Sequence, residues 1–120
     1  KVAILGVAFK PHSDDVRDSP ALNVAGRLQL QGAHVAVYDP RATDNARRIF
    51  PTLEYAPSVD EACRGAHVVL HLTEWPEFRD IDPGELATVV DQPNLVDGRN
   101  CLDADAWRAA GWTYRSLGRP

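Results

Sequence analysis

No run in this chain is apolar for long enough to cross a bilayer, so a membrane-spanning helix is excluded. No basic face is available either. The formal net charge is −4, and duplex nucleic acid needs a concentration of lysine and arginine that this sequence lacks. Cysteine is scarce: Cys63 and Cys101 stand alone, without metal-ligand spacing, and a reduced cytosolic pair with no bound metal is expected. No histidine adjoins either cysteine, so neither reads as a nucleophile. Arg99 before Cys101 is the only feature that favours a lowered thiol pKa there. Internal repeats, low-complexity tracts and Pro/Gly-rich linkers are all missing. The 120 residues are therefore expected to form a single domain, with 44% hydrophobic and 25% charged residues, ordinary values for a globular core. The chain opens inside an apolar strand, which suggests a piece cut from a longer protein.

What is present is a repeating pattern of strands and helices. Val2-Ala3-Ile4-Leu5-Gly6 reads as a buried strand of parallel type. A charged turn follows, and Ser19-Pro20 provides an N-cap with proline at the first helical position. Ala21, Leu22, Val24, Ala25 and Leu28 recur at helical spacing until Gly32 stops them. Further strands are expected at 33–39, 53–55, 67–73, 94–97 and 112–117. Helices are expected over 44–49, 58–64, 82–89 and 103–110, the second opened by Ser58 and Glu61 as a capping box. About six strands with helices between them predict an α/β fold: a Rossmann-like, doubly wound, mainly parallel sheet.

In such a sheet, ligands bind beyond the carboxyl ends of the strands. The dinucleotide fingerprint fails there, because G-x-G-x-x-G is reduced to Gly6 and the next turn carries bulky, charged side chains. Asp39 accordingly reads as a strand-end turn residue before Pro40 rather than a ribose ligand. Lys10 and Arg17 can each meet a phosphate oxygen, and Phe9 can stack on a base or sugar. Equally, the two cations can simply neutralise Asp14, Asp15 and Asp18; Asp14 and Asp15 are expected to hold them in place. Asp97-Gly98-Arg99-Asn100 also follows a strand end, where Gly98 permits positive φ or close backbone approach and Arg99 points to the crevice of Lys10. Thr73-Glu74-Trp75 is a third such set, in which Trp75 serves packing as readily as ligand contact. His34, His67 and His71 lie in or beside strands and read as core or supporting residues, and His12 as a loop residue. No complete catalytic apparatus is visible.

The run Gly6-Val7-Ala8-Phe9-Lys10-Pro11, continued by Asp14-Asp15-Val16-Arg17-Asp18-Ser19-Pro20, resembles the opening of the C-terminal domain of the UDP-glucose/GDP-mannose dehydrogenase family. Tyr38-Asp39-Pro40, Thr73-Glu74-Trp75 and Asp97-Gly98-Arg99-Asn100 resemble that domain's later motifs, in order, so the resemblance covers residues 1–120. It implies the nucleotide-sugar-binding domain of an NAD-dependent enzyme that oxidises the C6 alcohol of UDP-glucose to a carboxylate in two steps. It also implies that Phe9, Lys10 and Arg99 contact the nucleotide sugar, and that Arg17 reaches NAD held by an N-terminal domain outside this chain. The family's catalytic cysteine matches neither Cys63 nor Cys101, so no catalytic residue is assigned here. The resemblance further implies a cytoplasmic enzyme that forms a homodimer when complete. GDP-mannose or UDP-N-acetylmannosamine as the substrate, and a stand-alone nucleotide-binding or regulatory module, are the alternatives.

Overall fold

The computed structural model describes residues 1–116. Six strands form one sheet: β1 (Val2–Leu5), β2 (Val35–Tyr38), β3 (Glu54–Tyr55), β4 (Val68–His71), β5 (Asn94–Asp97) and β6 (Thr113–Ser116). Their order is β3-β2-β1-β4-β5-β6, and every neighbouring pair is parallel. All six carboxyl ends therefore point to one edge. The order reverses between β1 and β4, which makes the crevice above those two strands the topological switch point. The expected Rossmann-like fold is present, with the sheet wholly rather than mainly parallel.

Apolar runs make the central strands. Ala3, Ile4, Leu5, Val35, Ala36, Val37, Val69 and Leu95 are all buried, as a sheet covered on both faces requires. Helix α1 (Pro20–Leu30) begins as its sequence predicts: the Ser19 Oγ accepts from the Leu22 N–H and donates to the Val7 carbonyl, at 3.2 and 2.7 Å. It then runs to α2 (Thr43–Ile49) by way of β2. The Ser58 cap of α3 (Val59–Cys63) forms, but Glu61 pairs with Arg64 instead of returning to the cap.

Three readings change. A short helix, α4 (Pro76–Arg79), follows Trp75 where none was expected. The predicted helix over 82–89 contracts to α5 (Pro83–Leu86), although α6 (Ala104–Ala109) falls within its predicted range. His34 and His67 are exposed, because pairing starts one residue after each. They bind Glu54 and Asp91 at the opposite, amino-terminal edge of the sheet. Only His71 is a core histidine. Leu117, predicted as the end of the last strand, lies outside the described residues.

Candidate functional site: a cationic cleft at the strand ends

Gly6 is what lets the loop after β1 enter the switch point. Its φ is +93°, and a Cβ there would lie 2.5 Å from the Thr73 Cβ and 2.8 Å from the Thr73 nitrogen. Thr73, itself buried, donates from its hydroxyl to the Ala8 carbonyl at 2.8 Å. The two loops beyond β1 and β4 are thereby locked together.

Asp39 fixes the same loop from the other side. Its buried carboxylate accepts from the Val7 and Ala8 N–H groups at 2.9 and 3.0 Å, and from the Trp75 indole at 3.1 Å. The second oxygen takes the Arg41 and Ala42 N–H groups at 2.9 and 2.7 Å. Every lone pair is in use, so Asp39 is a turn anchor and has nothing left for a ribose. Trp75 is likewise a packing residue, since it is buried with its N–H bonded to Asp39.

Asp97 plays the matching part beyond β5, to an extent that no motif in the sequence signals. Its side chain is fully buried and accepts six hydrogen bonds. Four come from the successive N–H groups of Arg99, Asn100, Cys101 and Leu102 at 2.9–3.0 Å. His71 Nδ1 adds one at 2.8 Å and the Tyr114 hydroxyl another at 2.5 Å. Burial opposes ionisation, but the His71, Tyr114 and backbone donors outweigh it and hold the carboxyl well below its ordinary range. A carboxylate can only accept, so His71 donates through Nδ1. Gly98 owes its place to close approach rather than to positive φ: a Cβ would sit 3.0 Å from the Leu72 Cδ2. Asn100, at φ 58°, takes the left-handed position that asparagine tolerates.

These anchored turns present Phe9, Lys10 and Arg99 to one cleft of about 240 Å³, floored by Pro20, Ala21 and Leu72. Lys10 makes no hydrogen bond or ion pair with the described residues and is exposed. Arg99 donates through Nε and Nη2 to both carboxylate oxygens of Glu74, a bidentate pair with side chains 44% and 24% exposed. Arg17 stands on the far side of Phe9, in a shallow depression with Asp15 and Asp18. Its guanidinium is forked onto Asp15 at 3.1 and 3.2 Å. Asp15 therefore holds a cation as expected. Asp14 does not: it offers its backbone carbonyl to Asn45 and pairs with neither Lys10 nor Arg17. Larger hollows lie elsewhere: one of about 550 Å³ runs along α1 to Phe50, and one of about 400 Å³ lies between residues 14–17 and α2, where Arg17 also lines it; neither includes Lys10 or Arg99.

Neither cysteine is activated. Burial pushes the Cys63 thiol up to about 12. Burial and the Asp97 charge also raise Cys101, against the weaker pull of Arg79, so its proximity to Arg99 does not lower it. His71, Asp97 and Cys101 do cluster, but the carboxylate is already saturated by six donors and is no ligand for a metal. Among the described residues, no helix is long and apolar enough to cross a membrane.

Comparison with known proteins agrees with this arrangement. Residues 3–104 match the UDP-glucose/GDP-mannose dehydrogenase family, UDP binding domain. The chain is 41% identical to the UDP-glucose 6-dehydrogenase TuaD of Bacillus subtilis, over 99% of its own length and 26% of the relative's. It is 43% identical to a UDP-glucose 6-dehydrogenase of Rhizobium meliloti, over 100% and 28%. Among solved structures, an NDP-N-acetyl-D-galactosaminuronic acid dehydrogenase from Methanosarcina mazei superposes with a TM-score of 0.85 at 28% identity, covering 98% of this chain and 24% of that one. The chain thus spans about a quarter of the length of the curated relatives it matches. Fold, strand-end motifs and sequence all agree: the chain belongs to the UDP-glucose/GDP-mannose dehydrogenase family, as its UDP binding domain.

Proposed function

We propose that this chain is the nucleotide-sugar-binding domain of a longer, NAD-dependent UDP-glucose 6-dehydrogenase. The observation that carries the proposal is the convergence of Phe9, Lys10 and Arg99 on one cleft at the switch point. A diphosphate brings two or more negative charges, and a lysine without a carboxylate partner at a strand end is the complementary group. Phe9 is 52% exposed at the cleft rim, a costly place for an apolar ring unless a base or sugar covers it. UDP-glucose is favoured over other nucleotide sugars by the names of the relatives at 41–43% identity.

NAD fits this chain only as a neighbour. The loop from Gly6 to Ser19 has no glycine-rich cradle, and Ser19 already caps the first turn of α1. Arg17, exposed and not part of the cleft lining, is the one residue we assign to the dinucleotide. Hydride acceptance belongs to NAD bound by the rest of the protein, together with the catalytic cysteine. A cytoplasmic setting follows from those two reactants, and a homodimer from the family.

The test is an assay of the full-length protein for NADH formed from UDP-glucose. Activity is expected there and none from residues 1–120 alone. Arg17→Ala should raise the KM for NAD and leave that for UDP-glucose within about twofold, the size of a lost remote charge in a screened, exposed position. A full-length protein that leaves UDP-glucose unoxidised would remove the proposal.

A further inference from the structure

The two cations of the cleft are not equivalent. Lys10 has no ion pair among the described residues, whereas Arg99 is covered on its Nε/Nη2 edge by Glu74. That pair is built in rather than incidental, because both backbones are immobilised. Glu74 stands between Thr73 and Trp75, which are buried and bonded to Ala8 and Asp39. Arg99 begins the turn that Asp97 holds by four N–H groups. The Nη1 group of Arg99 has no partner among the described residues, and so its two N–H donors, with the second N–H of Nη2, remain to face a ligand.

We propose that Glu74 is a positioning and specificity-determining residue: it cancels the charge of Arg99 and turns the free edge of the guanidinium toward a neutral sugar hydroxyl. Among the described residues lining the cleft, Lys10 is then the cation left without an ion pair for the diphosphate. A bare arginine in the same place would be drawn to phosphate, since an unpaired guanidinium forks onto phosphate oxygens as readily as onto a carboxylate. Glu74 occupies that fork. The cleft thereby divides its work, with charge read at residue 10 and hydroxyl geometry read at residue 99. This inference rests on the proposed nucleotide-sugar function.

The experiment is calorimetry on the full-length protein with two probes, UDP and UDP-glucose. Glu74→Gln keeps the shape and removes the charge. It should tighten UDP by about fivefold, the effect of one unmasked unit charge a few ångströms away in an aqueous cleft. The preference for UDP-glucose over UDP should shrink by a similar factor. Arg99→Ala uncovers the Glu74 carboxylate and should weaken UDP as well as UDP-glucose. Adding Glu74→Gln to Arg99→Ala should restore UDP binding and leave UDP-glucose weak, a rescue that a merely structural residue cannot produce. Equal weakening of both probes by Glu74→Gln, or an unchanged ratio, would overturn the inference alone. A wild-type protein that binds neither probe would instead overturn the functional reading beneath it. Glu74→Asp keeps the charge and should keep the wild-type ratio; a ratio shifted as in Glu74→Gln would also count against it.

Discussion

At the scale of single residues, the molecule uses two buried carboxylates for geometry and leaves its free charges at the rim. Asp97 has a consequence for stability. Its folded pKa lies below its ordinary value of 3.8, so its contribution is fully present above that value and is lost as pH falls toward the folded one. Asp97→Asn should remove this acid-sensitive part and cost roughly 3–5 kcal/mol at neutral pH, the usual penalty for breaking a buried, fully bonded charge. Denaturant unfolding at pH 7 and pH 2.5 checks it: the wild type loses this contribution progressively below pH 3.8, and the variant loses much less. Phe9, Lys10 and Arg99 were legible because each lies in a loop that follows the carboxyl end of a strand. The saturation of Asp97 was not, because its donors come from residues 71, 99–102 and 114. The Glu74–Arg99 pair spans 25 positions and was equally invisible.

At the scale of elements, strand and loop are coupled through close approaches that only glycine permits. Gly6→Ala must move Thr73 and adopt a left-handed φ, so it should destabilise the fold by well over 1 kcal/mol. Thermal melting should register that loss, and an unchanged melting temperature would show that the two loops are not locked. Strand positions could be read to within a residue or two from apolar runs, since Val2–Leu5 and Val68–His71 are nearly continuous. Their ends are set by pairing instead: β2 begins at Val35 because its register partner is Val2, the first residue of β1. Helix α4 was missed for a different reason. Four residues show no periodicity, and Pro76 at its start reads equally well as a turn.

At the scale of the whole molecule, parallel pairing in the order β3-β2-β1-β4-β5-β6 gathers three short motifs onto one edge, with 65 positions between Ala8 and Thr73 and 25 between Glu74 and Arg99. Their meeting could be anticipated from alternating strands and helices, because right-handed crossovers leave few other arrangements. The division of labour within the cleft could not. The claim on which everything here depends is that Lys10 supplies the charge that holds a sugar diphosphate. Calorimetric titration of UDP-glucose into the full-length protein, wild type against Lys10→Ala, at low and moderate salt, tests it most directly. Loss of one charge-assisted contact should weaken binding by roughly 1.5–3 kcal/mol, about ten- to 150-fold, and flatten the salt dependence. Equal affinity and equal salt dependence in the two proteins would contradict it.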